Sequence, residues 1–119
     1  MMVLGDRVHR TRKGRQCELC LLKIAAGDPY RRQFNVDGGE AWTHVSHVHC
    51  TRLATKMRMY ADLAGEGLSD DYFQDDVRDF YWRLVKKGEA IETKDWPMIL
   101  LTVLGHHGIK MNELKDNKL

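Results

Sequence analysis

The sequence has no hydrophobic run that could cross a bilayer. The apolar stretch Met98–Leu101 is four residues long, where a spanning helix needs about 20. The opening Met-Met-Val-Leu-Gly-Asp is short of the apolar segment that a secretory signal carries. These absences lead to the expectation of a cytoplasmic protein without a membrane partner. Cysteine is also scarce, with three in 119 residues. In a reducing compartment so few thiols point to metal or free thiol rather than to a disulfide framework.

Charge is nearly balanced over the whole chain, at a formal +2, but it is divided unevenly. Residues 1–60 carry 11 Lys/Arg and 5 Asp/Glu, a formal +6; residues 61–119 carry 8 and 12, a formal −4. A basic half beside an acidic half implies faces with different partners, or one face docked on the other. The basic residues are densest between Arg7 and Arg15, where five of nine are Lys or Arg. Such a stretch is either a phosphate-contacting arm or a solvated strand or leader.

All three cysteines fall within one stretch. It opens with Cys17-Glu-Leu-Cys20 and closes with His44-Val-Ser-His47-Val-His49-Cys50. Between the pairs, Gly27-Asp28-Pro29 signals a turn. A strand is expected over Tyr30–Val36, then a tight turn at Asp37-Gly38-Gly39-Glu40, then a return strand over Ala41–His47. From Val48 the apolar spacing of Leu53, Met57, Tyr60 and Ala64 predicts a helix that Gly65 and Gly67 end. The hairpin therefore returns the second pair towards the first.

Two short-spaced pairs separated by 26 residues, Cys17-x2-Cys20 and His47-x2-Cys50, supply the four N/S donors of a tetrahedral zinc site. His47 is favoured as the histidine because its spacing to Cys50 repeats that of the first pair. His44, up the return strand, and His49, adjacent to Cys50, remain alternatives. A module of this size has a thin apolar core and needs such a staple.

The second half reads as helical. Ser69 caps a helix whose first turn holds Asp70 and Asp71, with Phe73, Val77, Phe80, Tyr81 and Leu84 on the inner face and Gly88 at its end. Asp75, Asp76 and Asp79 read as a solvated face of that helix. Asp95-Trp96-Pro97 opens a shorter, very apolar helix that Gly105-His106-His107-Gly108 should break. The histidine pair reads as an exposed turn, and the residues after Met111 as a polar tail.

Knuckle, hairpin and a helix bearing the last ligand, with Tyr30, Trp42 and His47-x2-Cys50 in that order, resemble a treble-clef zinc finger of the LIM or poly(ADP-ribose) polymerase type. The pattern Cys-x2-Cys, Ile24, Gly27, Tyr30, His, Cys with a helical tail is also similar to small zinc-finger proteins encoded by phages. The resemblance covers residues 15–60. It implies a treble-clef-like finger; with the helical reading of the second half, an α+β fold is expected, with a zinc-finger module at residues 7–64, a helical extension packed on it at 65–110, and a polar tail at 111–119. The phage-type likeness implies a host protein as partner.

Three functions are expected in order. The first is a non-enzymatic zinc protein binding DNA or RNA through Arg10, Arg12, Lys13, Arg15, Arg31 and Arg32, with Tyr30, Phe34 or Trp42 available to stack on a base. The second is an adaptor or inhibitor acting on a protein partner through the acidic and apolar helices. The third is an HNH-type nuclease, which shares the frame and would use His44; against it, His47 and Cys50 are already committed and the helix after Cys50 carries no further histidine. No small-molecule substrate is expected.

Overall fold

A computed structural model describes residues 2–10, 12–59 and 68–111. Within them the chain is mixed α+β. Five strands come first: β1 (Met2–Arg10), β2 (Arg15–Gln16), β3 (Lys23–Ile24), β4 (Pro29–Asp37) and β5 (Glu40–His47). Three helices follow: α1 (Val48–Lys56), α2 (Asp70–Lys86) and α3 (Trp96–His106). None of the described helices is long and apolar enough to cross a membrane.

The sheets are antiparallel. One has the order β1-β4-β5 and the other pairs β2 with β3. The β4–β5 turn falls where Gly38 and Gly39 adopt φ 56° and 87°. Both central positions of a tight primed turn require that left-handed backbone, which glycine enters without a Cβ clash. The turn fixes the register, placing Tyr30 opposite His47 and Gln33 opposite His44.

The basic arm is not a free leader up to Arg10. Residues 2–10 form a strand paired along β4, with one irregularity between Val3 and Gly5. The sequence Arg7-Val-His-Arg10 hides this because it lacks a clean apolar alternation, the pattern that marks a half-buried strand.

Helix α1 is shorter than its apolar spacing predicts. It stops at Lys56, and Arg58 turns left-handed at φ 59°. That turn aims Met59 inward, where it is buried. Tyr60, Ala64, Gly65 and Gly67 lie outside the described residues. Helix α2 begins as expected: the Ser69 hydroxyl accepts the Tyr72 N–H at 3.1 Å, satisfying one of the otherwise unpaired first-turn donors. It ends with the Glu89 N–H on the Leu84 carbonyl and Gly88 at φ 78°, a glycine-terminated closing turn. Helix α3 ends within the expected Gly105–Gly108 stretch, running through Gly105 to His106. Its closing turn comes at Gly108, φ 70°, with the Ile109 N–H on the Leu104 carbonyl.

One hydrophobic cluster joins the two halves of the chain. Leu19, Ile24 and Leu53 from the strand-rich half are buried together with Phe73, Val77 and Tyr81 of α2 and Ile99, Leu100 and Val103 of α3. The inner faces of α2 and α3 thus close over the same core that contains the three cysteines.

Candidate metal centre

The four residues Cys17, Cys20, His47 and Cys50 are buried and converge. Their donor atoms all lie within 4.8 Å of one another. The His47 Nδ1 is 3.3 Å from the Cys20 Sγ and 3.7 Å from the Cys50 Sγ. Metal–sulfur bonds of about 2.3 Å and a metal–nitrogen bond of about 2.0 Å give tetrahedral S···N edges of roughly 3.5 Å. The two S···N distances match such edges, and the four residues could hold one metal ion.

Each donor has a local reason for its place. Cys17 and Cys20 sit on a tight turn closed by the Leu21 N–H on the Cys17 carbonyl and the Cys17 N–H on the Leu22 carbonyl, both at 3.0 Å. The N–H groups of Leu19, Cys20 and His47 point at the Cys17 sulfur at 3.4, 3.5 and 3.4 Å. His47 ends β5 and is the N-cap of α1, where its ring makes no capping bond. Cys50 lies in the first turn of α1, which contains no acidic residue. A thiolate there meets the positive end of the helix dipole.

The histidine ring is oriented from behind. Its Nε2 lies 3.2 Å from the Lys23 carbonyl, so with Nδ1 facing the sulfurs the Nε2–H donates to that oxygen. This is the backbone partner that fixes tautomer and ring plane in metal-binding histidines. His49 is buried and stacks on His47, with ring centroids 4.4 Å apart and planes 22° apart. It packs on His47 and is not one of the converging donors. His44 stands three residues before His47 on β5, so its side chain leaves the opposite face of the sheet.

The three thiols perturb one another strongly. Burial pushes the Cys17 thiol up, but contacts from Cys20, Cys50 and His47 outweigh it and hold the thiol far below its usual range. Cys20 is pushed up to about 12, chiefly by its contact with Cys17. Cys50 is pushed well above the usual thiol range by burial and then by the other two sulfurs. Three sulfurs this close cannot all be anionic in a buried site unless a positive ion compensates them.

The surrounding fold clasps the Cys17–Cys20 turn from both sides. On the sheet side the Glu18 N–H donates to the Val45 carbonyl at 2.8 Å, and the Glu18 carboxylate accepts the Val45 N–H. The Ser46 and Thr51 hydroxyls, 2.7 Å apart and buried, lock the β5–α1 junction. On the helical side the Trp96 Nε1–H donates to the Cys20 carbonyl at 2.8 Å, and the Gln74 side-chain amide reaches the Leu19 carbonyl at 3.4 Å. The Arg78 guanidinium lies over the Trp96 ring, 4.7 Å from its centroid. Sequence reasoning missed Glu18, Gln74 and Trp96, since nothing local marks a contact spanning 76 residues.

The six basic residues expected to meet nucleic acid do not share one face. Arg15 lies over the Tyr30 ring, 5.3 Å from its centroid. Arg32 is exposed on β4 and shares Tyr30's side of the sheet by alternation. Arg31 takes the opposite side. So does Arg10, which is paired with Pro29 and donates to the Gly27 carbonyl at 3.1 Å. Arg12 and Lys13 are exposed on the bend between β1 and β2. Of the stacking candidates, Tyr30 is buried against His9, whereas Phe34 is 40% exposed. The Trp42 side chain lies outside what the structure describes.

The remaining histidines belong to packing. His106 and His107 lie against Phe80, and the His107 carbonyl accepts from Lys56 at 2.8 Å. Asp71, Asp75 and Asp79 are exposed along one side of α2, Asp79 paired with Arg83. No protein-family model, curated protein or solved structure matches the chain.

Proposed function

We propose that this is a non-enzymatic protein organised by one structural zinc ion, with a treble-clef-like finger that binds nucleic acid through its basic half. The observation that carries the reading is the closed donor set: three cysteines and one histidine, all buried and all from the protein. Thiolate-rich tetrahedral sites select zinc, and four protein ligands leave no position for a reacting water. Such an ion serves the fold, contributing about 10–16 kcal/mol in small zinc peptides at neutral pH. Activity then belongs to the surface. On the knuckle side that surface is cationic, with Arg12, Lys13, Arg15 and Lys23 exposed in one short span of chain.

Fluorescence anisotropy with labelled DNA and RNA at two salt concentrations tests the reading. Binding should weaken as salt rises, because each neutralised phosphate releases counterions. Absence of binding, or binding without a salt slope, overturns it.

A second reading is favoured by the outer face of α3, where Met98 and Leu101 are 50% and 47% exposed. Two large apolar side chains one turn apart suit a protein contact. This adaptor reading takes precedence if no nucleic acid binds and Met98→Lys abolishes association with a purified protein partner.

A further inference from the structure

A groove of about 520 Å³ runs beside the metal-binding turn, lined by Gly14, Arg15, Gln16, Leu21 and Lys23. We infer that this groove takes one nucleotide unit of a single-stranded nucleic acid, its base against Leu21 and its phosphate on Lys23. The inference rests on the nucleic-acid reading and assigns it a place.

Leu21 is the first observation. Its backbone is left-handed, φ 63°, where an L-residue with a Cβ is strained. Its side chain is nonetheless 43% exposed. Packing does not explain a branched side chain at a position where glycine would be unstrained. The turn that holds it is built by the metal knuckle, and the Gln16 side chain fixes the Leu21 carbonyl at 3.0 Å. Leu21 is therefore presented to the groove on a rigid support.

Charge is the second. Lys23 is exposed and has no carboxylate partner among the described residues, whereas Arg15, paired with Ile24, leaves the other side of the β2–β3 ribbon and lies over Tyr30. Lys23 is tied to the metal centre through its own carbonyl, which faces the His47 ring. Gly14 leaves room for the lysine stem: a Cβ there would stand 2.7 Å from the Lys23 Cε. The groove thus pairs an apolar wall with a lysine that has no carboxylate partner among the described residues. That pairing complements a phosphate carrying a planar base. A single strand fits better than a duplex, whose base faces are stacked and cannot reach Leu21.

The test uses anisotropy with labelled oligothymidylate, the corresponding duplex, and polyglutamate as a competing acidic polymer. Leu21→Gly is an unusually clean variant, since it removes the groove wall while relieving the backbone. It should keep its metal and fold and bind oligothymidylate about fivefold more weakly. Lys23→Gln should weaken binding and lower the salt slope by about one. Wild-type affinity in both variants overturns the groove and leaves the general reading standing. Failure of the wild-type protein to bind any oligonucleotide overturns both. Tighter binding of duplex than of single strand, or equal competition by polyglutamate, also overturns the assignment.

Discussion

Replacing Trp96 by Phe should loosen the metal centre from a distance of 76 residues in the chain. The change removes the indole N–H that the Cys20 carbonyl accepts, inside a residue that is fully buried. A buried acceptor left without a partner costs about 1–3 kcal/mol. The Arg78 guanidinium keeps an aromatic face beneath it, so that contribution, about 0.5–1 kcal/mol at such sites, is largely retained. The sum is about 2 kcal/mol. Urea denaturation of the zinc-loaded protein should show that loss, while elemental analysis still finds the same metal per chain. Transfer of zinc to a chelating dye should speed up by as much as about 30-fold, the factor equivalent to 2 kcal/mol. Trp82→Phe is the control. That ring is 38% exposed and makes an edge contact with Tyr81, so its loss should stay within about 0.5 kcal/mol. If the two variants have equal stability and equal zinc transfer, the helices do not brace the knuckle and the reasoning fails.

Three further outcomes are expected. His47→Ala should lose the metal, whereas His44→Ala should retain a full equivalent, since the His44 side chain leaves the other face of β5; metal retained by the His47 variant would refute the ligand assignment. Phe73→Ala removes a fully buried ring from the core shared by α2 and the cysteines, and should cost about 3–5 kcal/mol in urea denaturation, a loss under about 1 kcal/mol counting against one joint core. Ser69→Ala should cost about 1 kcal/mol through the lost cap on the Tyr72 N–H, and an unchanged midpoint would show that this bond carries no stability.

The donor set was legible because its signal is local. Two x2 spacings and a Gly-Gly turn specify which side chains meet, and the register of β4 on β5 follows from the turn. The inner face of α2 was legible for the same kind of reason: Phe73, Val77, Tyr81 and Leu84 repeat at helical period and are buried, with Phe80 partly so. What stayed hidden depends on contacts far apart in sequence. The pairing of β1 with β4 involves a basic segment without alternation, so periodicity is silent about it. The end of α1 turns on a single left-handed residue, Arg58, while Met57 continues the apolar spacing past the true end. Tertiary burial of Met59 decides that position, and propensity does not. The strained Leu21 was a missed local clue. It follows the second cysteine of the knuckle, at the position where the turn needs positive φ, and leucine is a costly residue to place there.

One zinc ion, held by Cys17, Cys20, His47 and Cys50, is proposed to organise the fold. Elemental analysis of the folded, purified protein tests it most directly, with Cys50→Ser alongside. One zinc per wild-type chain is expected, with loss of both metal and the folded strand-rich half in the variant. A wild-type protein that folds without zinc, or a Cys50→Ser variant that keeps a full equivalent, would contradict it.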